Sequence, residues 1–90
     1  MLADMKTSKK QPSPREIFAR NVRLTRRLKD ISQEELAFRA DLSRTYLSEV
    51  ERGIRNVSID NMGLIAQSLG IPLQDLLNPT MYASLDGQAE

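Results

Sequence analysis

The chain predicts an all-α domain of five short helices, and three observations carry that reading. Apolar residues recur at three- and four-residue spacing in successive windows, the mark of helices buried along one face. Four of those windows open on a serine suited to a helix N-cap: Ser13, Ser32, Ser43 and Ser58. No strand-like alternation of any length occurs, and no internal repeat or glycine-rich phosphate loop is present.

Residues 1–12 are polar and basic without periodicity and read as a flexible arm. Ser13-Pro14-Arg15-Glu16 is a start signal: a cap, a proline at the first helical position and a capping-box glutamate. The first helix is predicted from Pro14 to about Lys29. Phe18, Val22 and Thr25 form its inward stripe, Ile17, Leu24 and Leu28 lie beside it, and Arg15, Arg20, Arg23, Arg27 and Lys29 face mostly outward. Ser32 with Glu35 gives a second capping box and a helix over about Gln33–Ala40, buried through Leu36, Ala37 and Ala40. Asp41-Leu42-Ser43 is the turn, and a third helix covers about Arg44–Arg52, with Leu47 and Val50 inward and Gly53 just past its end. After the loop Ile54–Val57, a fourth helix spans about Ile59–Leu69, with Ile59, Met62, Ile65, Ala66 and Leu69 at helical spacing. Gly70 ends it. A fifth covers Pro72–Leu77 and stops ahead of Pro79, because the residue before a proline avoids the helical region. The expected domain is residues 13–78, with residues 79–90 a flexible tail.

Composition excludes several chemistries. There is no cysteine and no histidine, so disulfide frameworks, thiolate zinc sites, cysteine nucleophiles and histidine-dependent triads are ruled out. The paired carboxylates Glu34–Glu35 and Glu49–Glu51 fall on exposed helix faces without a partner base, which argues against an enzyme. No metal, cofactor or small-molecule ligand is expected. No run approaches the roughly 18 apolar residues of a membrane span, and the N-terminal segment lacks the apolar stretch of a secretory signal. A cytoplasmic location is expected. The net charge of +1 hides an asymmetry: residues 1–30 carry +6, residues 31–60 carry −2 and residues 61–90 carry −3. That distribution suggests a charged partner.

The segment Ser32–Gly53, SQEELAFRADLSRTYLSEVERG, carries the function. Two short capped helices around a tight turn are the layout of a helix-turn-helix, which lays its second helix in the DNA major groove. A small residue is needed where the helices cross, and Ala37 supplies it. Leu36, Leu42, Leu47 and Val50 close a shared core, so Arg44, Thr45, Ser48 and Glu49 must face out. Arginine reads guanine O6 and N7, threonine touches a thymine methyl, and glutamate accepts from cytosine N4. Gln33 sits at a helix N-terminus, where backbone N–H groups and the helix dipole favour a phosphate. Ser43 caps the third helix and has a hydroxyl and a backbone N–H for a phosphate as well.

The strings SQEELA, RTYLSEVERG, RNVSIDNM and IAQSLGIPLQDLL resemble the Cro/repressor-type helix-turn-helix (XRE) family, over about Phe18–Leu77. The resemblance implies a lambda-repressor-like five-helix domain whose third helix enters the major groove of double-stranded DNA, usually as a homodimer on a palindromic operator. RTYLSEVERG followed by RN is particularly similar to restriction-modification controller proteins. Asp41 departs from the pattern, standing where many members carry glycine. Residues before Ser13 and after Pro79 align with nothing in the family.

The resemblance also implies residue roles. Arg26 and Glu51 match a salt bridge linking the first and third helices. Arg55 and Asn56 match a loop that touches phosphates. Leu64, Ile71, Leu73 and Leu77 match positions at a dimer interface, or else they simply close the core. Apart from the resemblance, Tyr46 contacts a phosphate or thymine methyl, or packs its ring on the second helix and presents only its hydroxyl. Glu49, read from its place on the helix, accepts from cytosine, pairs with Arg52 on the surface, or repels wrong sequences. The different-class alternative to a transcriptional regulator is a protein-interaction module, such as an antitoxin or anti-repressor built on the same fold.

Overall fold

The computed structural model describes residues 12–83. Five helices follow in order: α1 Pro14–Leu28, α2 Gln33–Ala40, α3 Arg44–Glu51, α4 Ile59–Leu69 and α5 Leu73–Leu76. The serine caps account for four of the starts. Ser13, Ser32, Ser43 and Ser58 each accept from the backbone N–H three residues on, at 3.0–3.1 Å. At Ser13 the box is complete, since Glu16 reaches back to the Ser13 N–H at 2.9 Å. At Ser32 it is half a box. Glu35 turns away to Arg39, one turn along the exposed face, at 2.8 Å.

The helix ends repeat one device. Asp30, Asp41, Gly53 and Gly70 all take the left-handed conformation, at φ of 60°, 59°, 74° and 72°. At each, the left-handed residue donates to the carbonyl three back, and the next residue donates to the carbonyl five back, all at 2.9–3.2 Å. This is the Schellman closure, which satisfies carbonyls that a helix end would otherwise strand. The next residues are Ile31, Leu42, Ile54 and Ile71, and all but Ile54 pack against the core. Glycine adopts this backbone without steric penalty, whereas aspartate carries part of the cost of its Cβ.

The core comprises Phe18 and Val22 from α1, Leu36, Ala37 and Ala40 from α2, Leu47 and Val50 from α3, Val57, Ile65, Ala66 and Leu69 from the α4 region, and Leu76 from α5. α2 packs on α3 and α4, while α1 spans α3, α4 and α5. Leu28, expected beside the α1 stripe, and Ile59, expected on the inward face of α4, are both exposed, at 60% and 65%. Each is the terminal residue of its helix, beyond the reach of the neighbouring elements.

Two outward assignments on α1 are corrected. Arg23 is half-buried and donates to the Glu51 carbonyl at 2.6 Å, and Arg20 donates to the Pro79 carbonyl at 2.9 Å. Asn21 is fully buried, and its amide ties α1 to the carbonyls of Leu76 and Asn78 at 2.9 Å each. Thr25, also buried, shares a 2.6 Å hydrogen bond with the Tyr82 hydroxyl, and Met81 packs on the core. Contacts with the helical core therefore continue beyond Asn78 through Met81 and Tyr82. The lysines of the arm (Lys6, Lys9 and Lys10) and residues 84–90 lie outside the described residues.

Candidate nucleic-acid interface

Burial of Leu47 and Val50 fixes how α3 is rolled. Both are at most 1% exposed, which turns Arg44 and Thr45 fully out and leaves Ser48 and Glu49 half-buried at the flank. Arg44, Thr45, Ser48 and Arg52 line one shallow surface depression together with Gln33 from α2. The sequence reading did not include Arg52 among the readers. It stands four residues beyond Ser48 and eight beyond Arg44, so helical spacing alone places it on that face.

The far end of α3 is held by ionic and amide contacts. Arg26 grips Glu51 with both ends of its fork, Nε to Oε2 at 2.6 Å and Nη2 to Oε1 at 2.9 Å. Glu51 is 2% exposed and Arg26 12%. A third donor, Gln33 Nε2, reaches Glu51 Oε1 at 3.1 Å. The remaining Arg26 nitrogen donates to the Ile31 carbonyl at 2.9 Å. The carboxylate is desolvated but fully supplied with donors, the condition under which a buried ion pair is tolerated. Gln33 thus commits its side-chain amide nitrogen to Glu51 while still bordering the depression beside α3.

The loop after α3 forms a second group. Arg55 donates from Nε to Glu49 Oε1 at 2.8 Å, and its guanidinium lies 4.9 Å from the centre of the Tyr46 ring. The ion pair shown for Glu49 is with Arg55, where the sequence suggested Arg52 as partner. The Schellman turn at Gly53 folds the chain back and delivers Arg55 beside α3. Tyr46 is half-buried with its ring on the core, and its hydroxyl accepts from Asn61 Nδ2 of α4 at 3.0 Å. Asn56 is exposed and borders a different depression, lined by Ser13, Arg15, Phe18, Val57 and Met62.

Of the four apolar residues expected at an interface, Leu64 is 40% exposed, while Ile71, Leu73 and Leu77 are partly buried against the core. Phe38, on the outer face of α2, is 81% exposed and was not singled out from sequence. Among the described residues no three His, Cys, Asp or Glu side chains converge as metal ligands, and no helix is long and apolar enough to cross a membrane.

A compact all-α unit with two capped helices around a left-handed turn, and arginines on the outer face of the second, is the architecture of a DNA-binding helix-turn-helix. The helix-turn-helix family model matches residues 22–76, and the chain belongs to this family of XRE-type DNA-binding transcription regulators. Among curated relatives it is similar to the control protein C.BamHI of Bacillus amyloliquefaciens, at 51% identity over 71 residues, 78% of this chain and 88% of the relative. Among solved structures it resembles the restriction-modification controller protein C.AhdI of Aeromonas hydrophila, with TM-score 0.67 and 42% identity over 69% of this chain and 94% of that one. It also resembles the controller C.Esp1396I, solved as a tetramer with its natural 35 base-pair operator, with TM-score 0.68 and 28% identity over 74% and 92% of the two chains.

Proposed function

We propose that this chain is a transcriptional regulator of the restriction-modification controller type. It binds a palindromic operator as a homodimer, with α3 of each copy in the major groove. The observation that carries this reading is the depression shared by Gln33, Arg44, Thr45, Ser48 and Arg52 on the outward face of a rigidly seated α3. Arg44, Thr45 and Ser48 meet base edges, and Glu49 accepts from cytosine N4 where Arg55 leaves it room. The Gln33 backbone, Ser43, Tyr46, Arg55 and Asn56 engage the phosphate backbone. Leu64, with the exposed parts of Ile71, Leu73 and Leu77, forms the two-fold interface. Two copies of α3 about 34 Å apart then meet successive turns of the same groove. The relative solved as a tetramer on its operator supports assembly on DNA. The protein-interaction reading draws on Phe38, whose ring is 81% exposed on the outer face of α2.

Selection of bound duplexes from a random pool tests the proposal. The expected product is an inverted repeat with half-sites about one helical turn apart. Arg44→Ala then relaxes preference at one base pair and costs about 1–3 kcal/mol. Arg55→Ala weakens all sequences alike and flattens the salt dependence. A pool that enriches no motif sinks the regulator reading, and an unchanged motif with Arg44→Ala sinks the assignment of its reading face.

A further inference from the structure

We propose that Asn61, on α4 and outside the helix-turn-helix, is a positioning residue for Arg55 and acts on it through Tyr46. The inference rests on the DNA-contact role given to Arg55 above. Arg55 stands in a loop segment without helix or strand, so side chains must set its direction. It is 50% exposed and its partner Glu49 28%, and an exposed ion pair alone holds a long side chain weakly. A second restraint comes from the Tyr46 ring beneath the guanidinium, 4.9 Å from its centre. That ring is held at both ends. Its body packs on the core, and its hydroxyl accepts from Asn61 Nδ2 at 3.0 Å.

The consequence is geometric. Glu49 takes Nε, and among the described residues neither terminal nitrogen of the Arg55 fork has a hydrogen-bond acceptor, so both can meet one outside the protein. The ring beneath the guanidinium restrains the fork, and Asn61 restrains the ring. Arg55 therefore meets DNA with much of its rotamer freedom already removed, the saving that preorganisation supplies. Asn61 is reached from Tyr46 across 15 residues, so the reading loop takes its alignment from a helix that never enters the groove.

Binding isotherms on the duplex that the wild-type chain enriches from the random pool test this, for Asn61→Leu, Arg55→Ala, Tyr46→Phe and the doubles containing Asn61→Leu. Loss of one orienting hydrogen bond should make Asn61→Leu bind about three- to ten-fold more weakly. The same substitution should be silent, within about two-fold, in the Arg55→Ala and Tyr46→Phe backgrounds, since the route it acts through is then gone. A purely structural Asn61 would keep its penalty in the Arg55→Ala background, whereas the Tyr46→Phe cycle shows only that Asn61 acts through the tyrosine hydroxyl. If leucine lowers the melting temperature, Asn61→Ala repeats the cycle. Additive penalties, or an Asn61→Leu chain that binds like wild type, overturn the proposal. An Arg55→Ala chain that binds like wild type instead overturns the contact role of Arg55, so the two failures are told apart.

Discussion

Removal of Arg26 should be among the most damaging single substitutions in this domain. Arg26→Ala deletes both fork contacts to Glu51 and the bond to the Ile31 carbonyl, and it strands a carboxylate that is only 2% exposed. Gln33 at 3.1 Å is then the one side-chain donor left to it among the contacts described, and the Arg23 bond goes to the backbone carbonyl instead. Charge-assisted hydrogen bonds are worth about 1.5–3 kcal/mol each, and breaking a buried pair from one side typically costs about 3–5 kcal/mol. Because Gln33 still offsets part of the loss, a cost of about 3–4 kcal/mol is expected. In a domain of this size that corresponds to a fall of roughly 15–25 °C in melting temperature. Urea unfolding followed by circular dichroism measures it, with a constant slope checking that the unfolded state is unchanged. The double variant Arg26→Met/Glu51→Leu removes both charges and should cost clearly less than Arg26→Ala alone. If Arg26→Ala costs under about 1 kcal/mol, or the double variant costs more than the single, the argument from a stranded buried charge is wrong.

Three further outcomes follow from the same geometry. Asp30→Gly and Asp41→Gly should each stabilise the fold, by up to about 1 kcal/mol, because glycine accepts φ near +60° without the Cβ penalty; thermal melts decide the sign. Truncation after Asn78 removes Met81 and Tyr82 and leaves the buried Thr25 hydroxyl without the partner described here, so it should cost on the order of 2–3 kcal/mol in urea titration, against no change if the tail merely hangs from the fold. Leu64→Glu should shift sedimentation at micromolar concentration from dimer towards monomer while keeping the helical spectrum, and a wild-type chain that sediments as a monomer both alone and on DNA would remove the two-fold interface.

The helices were legible because their signals are local. Four serines, the periodic stripes and the glycines after α3 and α4 act within a few residues of themselves. What escaped depends on distance or on edges. Asn21 reads as a surface polar residue on an amphipathic helix, and only carbonyls 55 and 57 residues away explain its burial. Periodicity gives the angle of a side chain around its axis but not how far the neighbours extend along it, which is why Leu28 and Ile59 misled at helix termini. Asp30 carries no sequence mark that separates it from an ordinary turn aspartate. On the reading face, the outward set Arg44, Thr45 and Ser48 follows from the roll of α3. The alliance of Glu49 with Arg55 does not, since it needs the chain reversal at Gly53. Asn61 escaped for the same reason as Asn21: its partner lies on another helix.

The attachment of α3 is lopsided, and that has a consequence for how such a protein changes over time. Its last residue, Glu51, is gripped by charged and amide donors from α1 and α2, whereas its first turn has neutral ties only: the Ser43 cap, the packing of Tyr46 and Leu47, and the bond from Asn61 to the Tyr46 hydroxyl. Anchoring and, on the proposed reading, base discrimination are thus assigned to different faces of an eight-residue rod. Positions 44, 45 and 48 can be exchanged without disturbing the seat that aims them. A lineage built on this scaffold is free to drift from one operator to another while its angle of approach to the groove stays inherited.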